Sequence, residues 1–326
     1  MITRRALAHL ALATAALALP AGAALAQSFP TRPVTVVVPY PAGGPTDAIA
    51  RIIAEDLGTK IGQNVVVRNE PGASGSIGTR AVATGEADGY TIVFGNNQTH
   101  GNNMFLLREP GYDALDDFVP LAGVGAFEHV YVVRNGLESE GIQDLIALAQ
   151  ADPEGLNYGS TGIGSGSHLS FELFMARTDT AMTHVPFQGA APLVQELVAE
   201  RIDVSNSTLP SVLGQIQGGA IRAIAIASPE RNPNLPDVPT LAEQGVDDAD
   251  AESWAALFAP AGIPDEARET LSNGILASLA EPSVRGAIEA LGFTLNVRAP
   301  EDFRPYHEAE METWRTIIET AGVEAQ

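Results

Sequence analysis

Cysteine is absent from this 326-residue chain, and Lys60 is its only lysine. Without thiols the protein has no disulfides, so a buried hydrophobic core must hold it together. Positive charge is scarce as well, since 18 basic residues face 40 acidic ones and leave a net charge of −22. Apart from local runs at 247–252 and 308–312, the acidic residues are spread along the chain, which is typical of a solvated surface. This balance disfavours nucleic acid and anionic membranes as partners.

Motifs for several kinds of chemistry are missing too. The lysine lies in Thr-Lys-Ile, whereas a phosphate loop needs Gly-Lys followed by Ser or Thr, so ATP chemistry is disfavoured. The Gly-rich run at 159–167 lacks the third glycine of a dinucleotide fingerprint. No Gly-Xaa-Ser-Xaa-Gly elbow occurs, although His168, His184 and Asp203 stay open as triad partners, because a triad is recognised by geometry. The histidines have no paired spacing, so we predict no metal site and no cofactor.

A long hydrophobic run occurs at the N terminus alone. Arg4 and Arg5 precede an apolar segment at 6–19, and small residues surround Ala26. Because this segment is shorter than the roughly 20 residues that a spanning helix needs, we predict a signal peptide rather than a membrane anchor. We expect it to occupy residues 1–26, to be cleaved after Ala26 and to direct export to the periplasm, by either the general or the twin-arginine route. Its removal takes away two positive charges and changes the net charge from −22 to −24.

Short strands alternate with helices after residue 27, which predicts an α/β fold with largely parallel sheets. The predicted strands are 34–38, 65–68, 91–94, 130–133, 202–205 and 221–227. Apolar residues with helical spacing predict helices at 46–58, 190–201 and 300–320. Pro264 and Pro282 lie where the first turns of two further helices are expected.

The segment 38–47, Val-Pro-Tyr-Pro-Ala-Gly-Gly-Pro-Thr-Asp, joins an apolar strand to an amphipathic helix. Free N–H groups at such a helix N terminus favour a carboxylate or phosphate. A similar strand, turn and helix begin with Val-Pro-Phe-Gln-Gly-Ala-Ala-Pro at 185–192. The pair favours two lobes of similar build facing one cleft, although any α/β protein also produces such likeness by chance.

Two lobes require the chain to cross between them, and we expect crossings near 122–136 and 252–264. The predicted domains are therefore 27–127 plus 255–326 for the first and 128–254 for the second. Two crossings would let the cleft close as a hinge.

Polar loops provide further candidate ligand groups. The run at 157–174 carries Ser160, Thr161, Ser165 and Ser167 before an apolar helix, and its length exceeds what helix capping requires, so we favour a ligand loop. Asn96 follows the predicted strand at 91–94 and either bonds a ligand or merely turns the chain. Ser74 lies in another small-residue loop, at 70–76.

Seven segments, taken in order, resemble the extracytoplasmic solute-binding proteins of tripartite tricarboxylate transporters, the TctC or Bug family. They read TRPVTVVVPYPAGGPTDAIAR, GQNVVVRNEPGASGSIG, ADGYTIVF, DDFVPLAGV, LNYGSTGIGSGSHLSFELF, HVPFQGAAPLVQEL and LPDVPTLAEQGV. The resemblance implies a type II-like periplasmic binding protein fold, with two α/β lobes joined by crossover strands around a ligand cleft. It also implies a receptor that closes on a small organic acid and delivers it to a permease with a large and a small subunit. We expect this receptor to be a monomer without catalytic activity.

The family holds carboxylates through backbone N–H groups, hydroxyls and bridging waters, which the resemblance assigns here to three loops. The first comprises Tyr40, Pro41, Ala42, Gly43, Gly44, Thr46 and Asp47; the second Ser160, Thr161, Gly162, Ser165, Ser167 and His168; the third Pro186, Phe187, Gly189 and Ala190. We add Ser74, Asn96 and Ser207 as candidate ligand residues.

One segment departs from the family pattern. Asn206 and Ser207 stand where relatives often have Phe and Asp, which predicts a more polar and less negative pocket wall. This disfavours a cationic or amino acid ligand and leaves a dicarboxylate or a hydroxy acid, within an expected ligand class that also includes tricarboxylates. A ligand-sensing module that signals to a membrane partner is the alternative to a transport receptor.

Overall fold

A computed structural model describes residues 28–249 and 252–325 of the protein. The predicted signal peptide and its cleavage site lie outside these residues. Among the described helices, none combines the length and the hydrophobicity that a membrane crossing requires.

Strands and helices alternate along most of the described chain. The strands are β1 (Val34–Val38), β2 (Val65–Asn69), β3 (Thr91–Asn96), β4 (Phe118–Phe127), β5 (His129–Arg134), β6 (Asn157–Ser160), β7 (Thr183–Pro186), β8 (Val204–Thr208), β9 (Ile221–Ala227), β10 (Ser253–Pro260) and β11 (Thr294–Arg298). The helices are α1 (Pro45–Ile61), α2 (Ser76–Ala83), α3 (Asn103–Leu106), α4 (Ile142–Ala151), α5 (Gly166–Thr178), α6 (Ala190–Val198), α7 (Leu209–Gln217), α8 (Asp265–Ala280), α9 (Pro282–Glu289) and α10 (Pro300–Ala321). Shorter helical turns are Ala73–Gly75, Gln98–Asn102 and Ala242–Gln244.

Two sheets build two α/β lobes. The first sheet has the strand order β11-β4-β10-β3-β1-β2, and the second has the order β7-β6-β8-β5-β9. Strands β1, β2 and β3 run parallel to one another, as do β6, β7 and β8. The antiparallel neighbours are β10 in the first sheet and β5 in the second. The predicted α/β fold with two lobes is therefore confirmed. The sheets are mixed rather than largely parallel as predicted, because β4, β9 and β11 also pair antiparallel with their neighbours.

The chain passes between the two sheets at the ends of long strands. Strand β4 ends at Phe127 in the first sheet, and β5 begins at His129 in the second. The return path enters the first sheet in β10, whose first residue, Ser253, pairs with Phe127. The two connections therefore lie side by side. The division of the chain into domains at these points stays a prediction.

The structure matches the predicted elements where local signals are strong. The strands predicted at 34–38 and 221–227 have the observed bounds, whereas the one predicted at 202–205 lies two residues later, at Val204–Thr208. Strands β4, β10 and β11 were not predicted as strands. Strands β6 and β7 were also missed, because each has four residues and contains Gly, Ser or Pro, which weaken the local strand signal. Strands β6 and β7 pair with each other, and these tertiary hydrogen bonds stabilise them where the local sequence does not favour a strand.

Each lobe has its own hydrophobic core, and a further cluster joins the lobes. Helix α1 packs on α8 in the first lobe, while α5 covers one face of the second sheet. The last turns of α10 contribute Trp314 and Ile317 to a cluster with Leu169 and Leu173 of α5. The long C-terminal helix thus contacts the second lobe as well as the first.

Candidate functional site

A cavity lies in the cleft between the lobes, at the point where β1 and β7 lead into α1 and α6. Twelve of the predicted ligand residues line this cleft cavity: Tyr40, Pro41, Ala42, Gly44, Thr46, Asp47, Asn96, Thr161, Ser165, Ser167, Gly189 and Ala190. Five others border adjoining depressions of the cleft: Gly43, Ser74, Gly162, Pro186 and Phe187. The remaining three, Ser160, His168 and Ser207, do not line it.

The first loop is shaped by its own carboxylate. Gly43 has a φ of +83°, Gly44 caps α1, and Pro45 occupies the first helical turn, where its missing N–H costs nothing. One oxygen of Asp47 accepts hydrogen bonds from the Gly43 N–H at 2.9 Å and from Arg51 Nε at 3.0 Å. Its other oxygen accepts one from Asn69 Nδ2 at 3.0 Å.

These contacts decide the role and the charge of Asp47. Burial alone would raise the pKa of its carboxyl, but the hydrogen bonds from Arg51, the Gly43 N–H and Asn69 outweigh burial and lower it. The carboxylate is ionised and engaged with protein groups. Asp47 therefore holds the loop in shape rather than offering a free charge to a ligand.

The second loop is organised by serine hydroxyls. Ser165 is the N-cap of α5 and accepts a hydrogen bond from the His168 N–H at 3.3 Å. Ser167 Oγ accepts one from the Thr161 N–H at 2.9 Å and lies 3.0 Å from Ser165 Oγ. Ser165 therefore caps the helix and lines the cleft cavity as well.

Histidines lie behind this loop and support it. His168 Nδ1 accepts a hydrogen bond from the Gly164 N–H at 3.2 Å, and its ring stacks on His184 at 4.2 Å. His184 Nε2 in turn lies 2.7 Å from Ser160 Oγ. Burial lowers the pKa of His168 to about 3 and that of His184 to about 4, so both rings are neutral near pH 7. Neutrality is what allows His168 Nδ1 to accept.

The candidate triad residues are not assembled into a triad. Ser160 contacts His184 but is fully buried in β6. Asp203 instead accepts hydrogen bonds from Arg134 Nε at 2.7 Å and from the Asn157 N–H at 2.9 Å. No group of metal-ligating side chains occurs in the described part of the chain either.

The third loop closes the cavity from the second lobe. Gly189 has a φ of +101° and caps α6, and its N–H donates to the Thr161 carbonyl at 3.1 Å. A Cβ at Gly189 would lie 3.5 Å from Pro41 Cδ, so the turns before α1 and α6 approach each other across the cleft. The sequence likeness between the two turns therefore corresponds to two facing walls of one site.

Asn206 and Ser207, which were expected to make a pocket wall more polar, do not line the cleft cavity. Ser207 is fully buried in β8, where its Oγ lies 2.9 Å from Ser205 Oγ. Asn206 is also buried and donates to Ser170 Oγ at 2.6 Å. Thr208, the next residue, is the one that reaches the cleft cavity.

Several lining residues were missed by sequence reasoning, and they share the floor of the cleft. Phe127, His129 and Ser253 lie on the strands that connect the lobes, and His129 Nε2 is 2.9 Å from Ser253 Oγ. Burial lowers the pKa of His129 to about 4, so this pair is uncharged near pH 7. The predicted crossings at 122–136 and 252–264 were the one sequence signal for these residues.

The polar side chains at the end of β3 and directly after it bond other groups of the protein. Asn96 Oδ1 accepts hydrogen bonds from Tyr40 OH at 2.7 Å and from the Gln98 N–H at 3.0 Å, so it turns the chain. Gln98 Nε2 reaches across the cleft to the Ile163 carbonyl at 3.2 Å.

Helix N termini supply the positive potential of the cavity. Residues of the first turns of α1, α5 and α6 all line it. Among the described lining residues none is Lys or Arg, and the one acid, Asp47, is paired with Arg51. Three helix dipoles and their free N–H groups, together with Ser and Thr hydroxyls, are suited to a small anion.

Comparison with known proteins identifies the family. A family model described as the tripartite tricarboxylate transporter family receptor, TctC, matches residues 49–323. The chain belongs to the TctC family. One TctC relative is protein BugT of Bordetella pertussis strain Tohama I, which is 34% identical over 95% of this chain and 95% of BugT. Another is the UPF0065 protein of the tcbD–tcbE intergenic region of Pseudomonas sp. strain P51, which is 37% identical over 94% of this chain and 92% of that protein.

Solved structures of similar proteins have the same architecture. R. palustris Rpa4515 with adipate matches with a TM-score of 0.88 and 35% identity over 91% of this chain and 100% of that one. The periplasmic binding protein BugD matches with a TM-score of 0.87 and 31% identity over 91% and 100%. MatC from Rhodopseudomonas palustris with bound malate matches with a TM-score of 0.84 and 30% identity over 89% and 100%. The protein is thus a TctC solute-binding protein of the Bug type, and these neighbours are binding proteins rather than enzymes.

Proposed function

We propose that this TctC protein is a periplasmic receptor that binds a small organic carboxylate in the cleft cavity and closes its lobes on it. The receptor then delivers the acid to a membrane permease with a large and a small subunit. In this proposal the protein is a monomer without catalytic activity, exported by a signal peptide that is cleaved after Ala26. The proposal rests on the three helix N termini that converge on one cavity whose described lining has no Lys or Arg.

The ligand class follows from this electrostatic arrangement. Backbone N–H groups of a helix first turn are fixed in direction, so they replace the hydration shell of a carboxylate without further ordering. Thr46, Thr161 and Ser167 add hydroxyls to the same cavity. The adipate complex of Rpa4515 and the malate complex of MatC support an acid with two carboxylates, and we extend the class to tricarboxylates and hydroxy acids.

Hydrogen bonds across the cleft support closure. Side chains of the first lobe donate to two carbonyls of the second ligand loop: Gln98 Nε2 and Ser74 Oγ bond Ile163 O at 3.2 and 3.1 Å, and Asn102 Nδ2 bonds Gly164 O at 2.9 Å. These bonds exist only when the walls meet, so they stabilise a closed form. We propose that the lobes, 27–127 plus 255–326 and 128–254, move about the two strand connections.

A thermal unfolding panel with adipate, malate, citrate, hexanoate and glucose tests the ligand class. An acid that binds should raise the unfolding midpoint, because a ligand at a hundredfold excess over its dissociation constant stabilises the native state by about 2.7 kcal/mol. Stabilisation by glucose and by none of the acids would overturn the proposal.

A matched pair of variants tests the anion site itself. Ala190 is the first residue of α6 and lines the cavity. Ala190→Glu and Ala190→Gln add side chains of equal size, and only Glu adds a negative charge, which a helix N terminus tolerates well. We expect Ala190→Glu to lose at least about tenfold more affinity for the best acid than Ala190→Gln does, because only the glutamate repels the bound carboxylate. A tenfold difference in affinity corresponds to about 1.4 kcal/mol. Uptake of the labelled acid by cells that lack the permease then tests delivery.

A further inference from the structure

Glu172 is a partly buried acid of α5 that lies behind the second ligand loop and outside the lining of the cleft cavity. Its Oε1 accepts a hydrogen bond from the Tyr158 hydroxyl of β6 and lies 3.7 Å from His168 Nε2, one helical turn earlier. Burial raises the pKa of the Glu172 carboxyl, and the hydrogen bond from Tyr158 opposes this rise. Because Oε1 already accepts from Tyr158, it presents an acceptor rather than a proton to the histidine.

A stack of nearly parallel rings holds the His168 ring in place. Phe171 stacks on Tyr158, Tyr158 on His184 and His184 on His168, with centroid distances of 4.1, 4.7 and 4.2 Å and interplanar angles of 2°, 13° and 16°. The stack restrains the plane of the His168 ring. Which of its nitrogens carries the proton depends on the groups that face them.

The two nitrogens of His168 face groups of opposite kind. Nδ1 accepts a hydrogen bond from the Gly164 N–H at 3.2 Å, so the proton of the neutral ring must be on Nε2. Nε2 faces the Glu172 oxygen at 3.7 Å, which is longer than a hydrogen bond but favours the N–H there by electrostatic attraction. The opposite tautomer would direct an N–H at the Gly164 N–H and leave Glu172 facing a lone pair.

The peptide group that joins Ile163 to Gly164 depends on this tautomer. Its N–H donates to His168, as above. Its carbonyl accepts from two side chains of the first lobe, Ser74 Oγ at 3.1 Å and Gln98 Nε2 at 3.2 Å. One end of the peptide is thus held by the second lobe, and the other end bonds across the cleft. The direction of the Ile163 carbonyl is therefore set by the group that fixes the Gly164 N–H.

We propose that Glu172 is a positioning residue for acid binding: it holds His168 in the tautomer that accepts from the Gly164 N–H, and it thereby orients the Ile163 carbonyl for closure of the lobes. This inference rests on the proposed function, because it acts through closure on an acid. Glu172 does not contact the ligand. Its role is that of a carboxylate that orients a histidine whose other nitrogen does the contacting.

Calorimetry with adipate and malate measures the effect on affinity. Glu172→Met removes the acceptor at similar volume, and we expect it to weaken the tighter of the two acids at least about tenfold, the loss typical when a histidine loses the group that orients it. Glu172→Gln keeps a side-chain oxygen for the histidine and should stay within about threefold of the wild type. Glu269→Met, on an exposed face of α8, is the control and should leave the affinity unchanged.

Tyr158→Phe separates positioning of His168 from anchoring of Tyr158. It removes the same hydrogen bond to Glu172 but keeps the ring stack and the oxygen that faces His168. We therefore expect its acid affinity to stay within about threefold of the wild type. If Glu172→Met does not fold, because it leaves the buried tyrosine hydroxyl without a partner, the double variant Tyr158→Phe/Glu172→Met removes both groups. It should bind at least about tenfold more weakly than Tyr158→Phe alone.

Nitrogen-15 NMR of histidine-labelled protein reads the tautomer directly and needs no ligand. The His168 signals are assigned by their loss in His168→Gln. We expect the Nε2–H tautomer in the wild type and in Tyr158→Phe, and a mixture of both tautomers in Glu172→Met. A merely structural role of Glu172 would leave the His168 signals unchanged.

The outcomes separate the two proposals. If neither acid binds the wild-type protein and the wider acid panel also fails, the proposed function fails, while the NMR spectra still report the tautomer. If acids bind but Tyr158→Phe loses as much affinity as Glu172→Met, or if His168 keeps the Nε2–H tautomer without Glu172, the positioning role is refuted while the receptor function stands.

Discussion

At the scale of single residues, Asp47 is the side chain on which the first ligand loop depends. Its carboxylate bonds the Gly43 N–H ahead of α1 and the Asn69 side chain at the end of β2. It thereby fixes the direction in which the N–H groups of the helix first turn point. Arg51 also bonds it, but the arginine is half-exposed, so water weakens this ion pair.

Asp47→Ala should therefore loosen the loop and weaken the fold. We expect the free energy of unfolding to fall by about 1–3 kcal/mol, because the hydrogen bonds to a buried, ionised carboxylate are lost. Affinity for the best acid should fall as well, since the loop N–H groups are no longer held in place. Urea unfolding and calorimetry measure the two effects.

Glu55→Ala is the matched control, because Glu55 lies on the exposed face of the same helix. It should change stability by no more than about 0.5 kcal/mol. Equal urea midpoints for the Asp47 and Glu55 variants would contradict the role assigned to Asp47.

At the scale of elements, α5 begins closer to the connecting strands than any side chain at its first position would allow. A Cβ on Gly166 would clash with Ser253 Oγ and would lie 3.2 Å from His129 Nε2. The absence of a side chain lets the N terminus of α5 reach the floor of the cleft. Glycine is needed here for close approach rather than for its backbone angles.

Gly166→Ala should push α5 away from the His129–Ser253 pair. We expect a loss of about 1–3 kcal/mol in the free energy of unfolding, as for other over-packed sites, and a loss of acid affinity of about tenfold or more. Gly286→Ala serves as the control, because a Cβ there meets no atom within 4 Å on the exposed side of α9. That variant should be neutral or up to about 1 kcal/mol more stable. If Gly166→Ala and Gly286→Ala had the same stability and the same acid affinity, the close approach of α5 to the connecting strands would not depend on glycine at position 166.

At the scale of the whole molecule, histidines held neutral by burial link stability to pH. Burial lowers the pKa of His129 and His307 to about 4 and that of His168 to about 3. In the unfolded chain these rings titrate near 6.5. Between about pH 6.5 and 4 the unfolded state binds more protons than the native one, so the free energy of unfolding decreases as the pH is lowered through this window.

We expect each of these histidines to contribute about 1–3 kcal/mol to that loss. Above pH 7.5 we expect little change in the free energy of unfolding. Burial raises the pKa of Glu172 and Glu310, which opposes the loss at the acid end of the window. Urea unfolding at pH 8, 6.5 and 5 measures the net effect. The His307→Gln variant should show a shallower dependence, and a constant stability from pH 7 to 5 would contradict the assignment.

Much of the site could be predicted from the sequence because its walls are local structures. The Pro and Gly turns at Tyr40–Gly44 and Phe187–Gly189 each join a strand to an amphipathic helix, and neighbouring residues specify both the turn and the helix N terminus. The hydroxyl-rich turn before α5 could be recognised in the same way. Such features depend on backbone angles and helix caps within a few residues.

The roles of individual residues within those loops depended on the tertiary structure. Asp47 and His168 are predicted ligand residues, and the structure adds that both form hydrogen bonds that hold the loops. Which side chain faces the cavity and which faces the protein depends on partners such as Asn69 and His184, which lie 22 and 16 residues away in the chain. Local patterns contain no information about those partners.

The sequence alone determined the α/β class, the family resemblance and the two turns for which we propose anion binding, because propensity, spacing and capping act between near neighbours. Only the tertiary structure decided the floor of the cleft. His129 and Ser253 are 124 residues apart, and they meet with Asn97 because β5 and β10 both begin where the chain passes between the sheets. Contacts of this kind arise from the packing of whole sheets, which no local segment specifies.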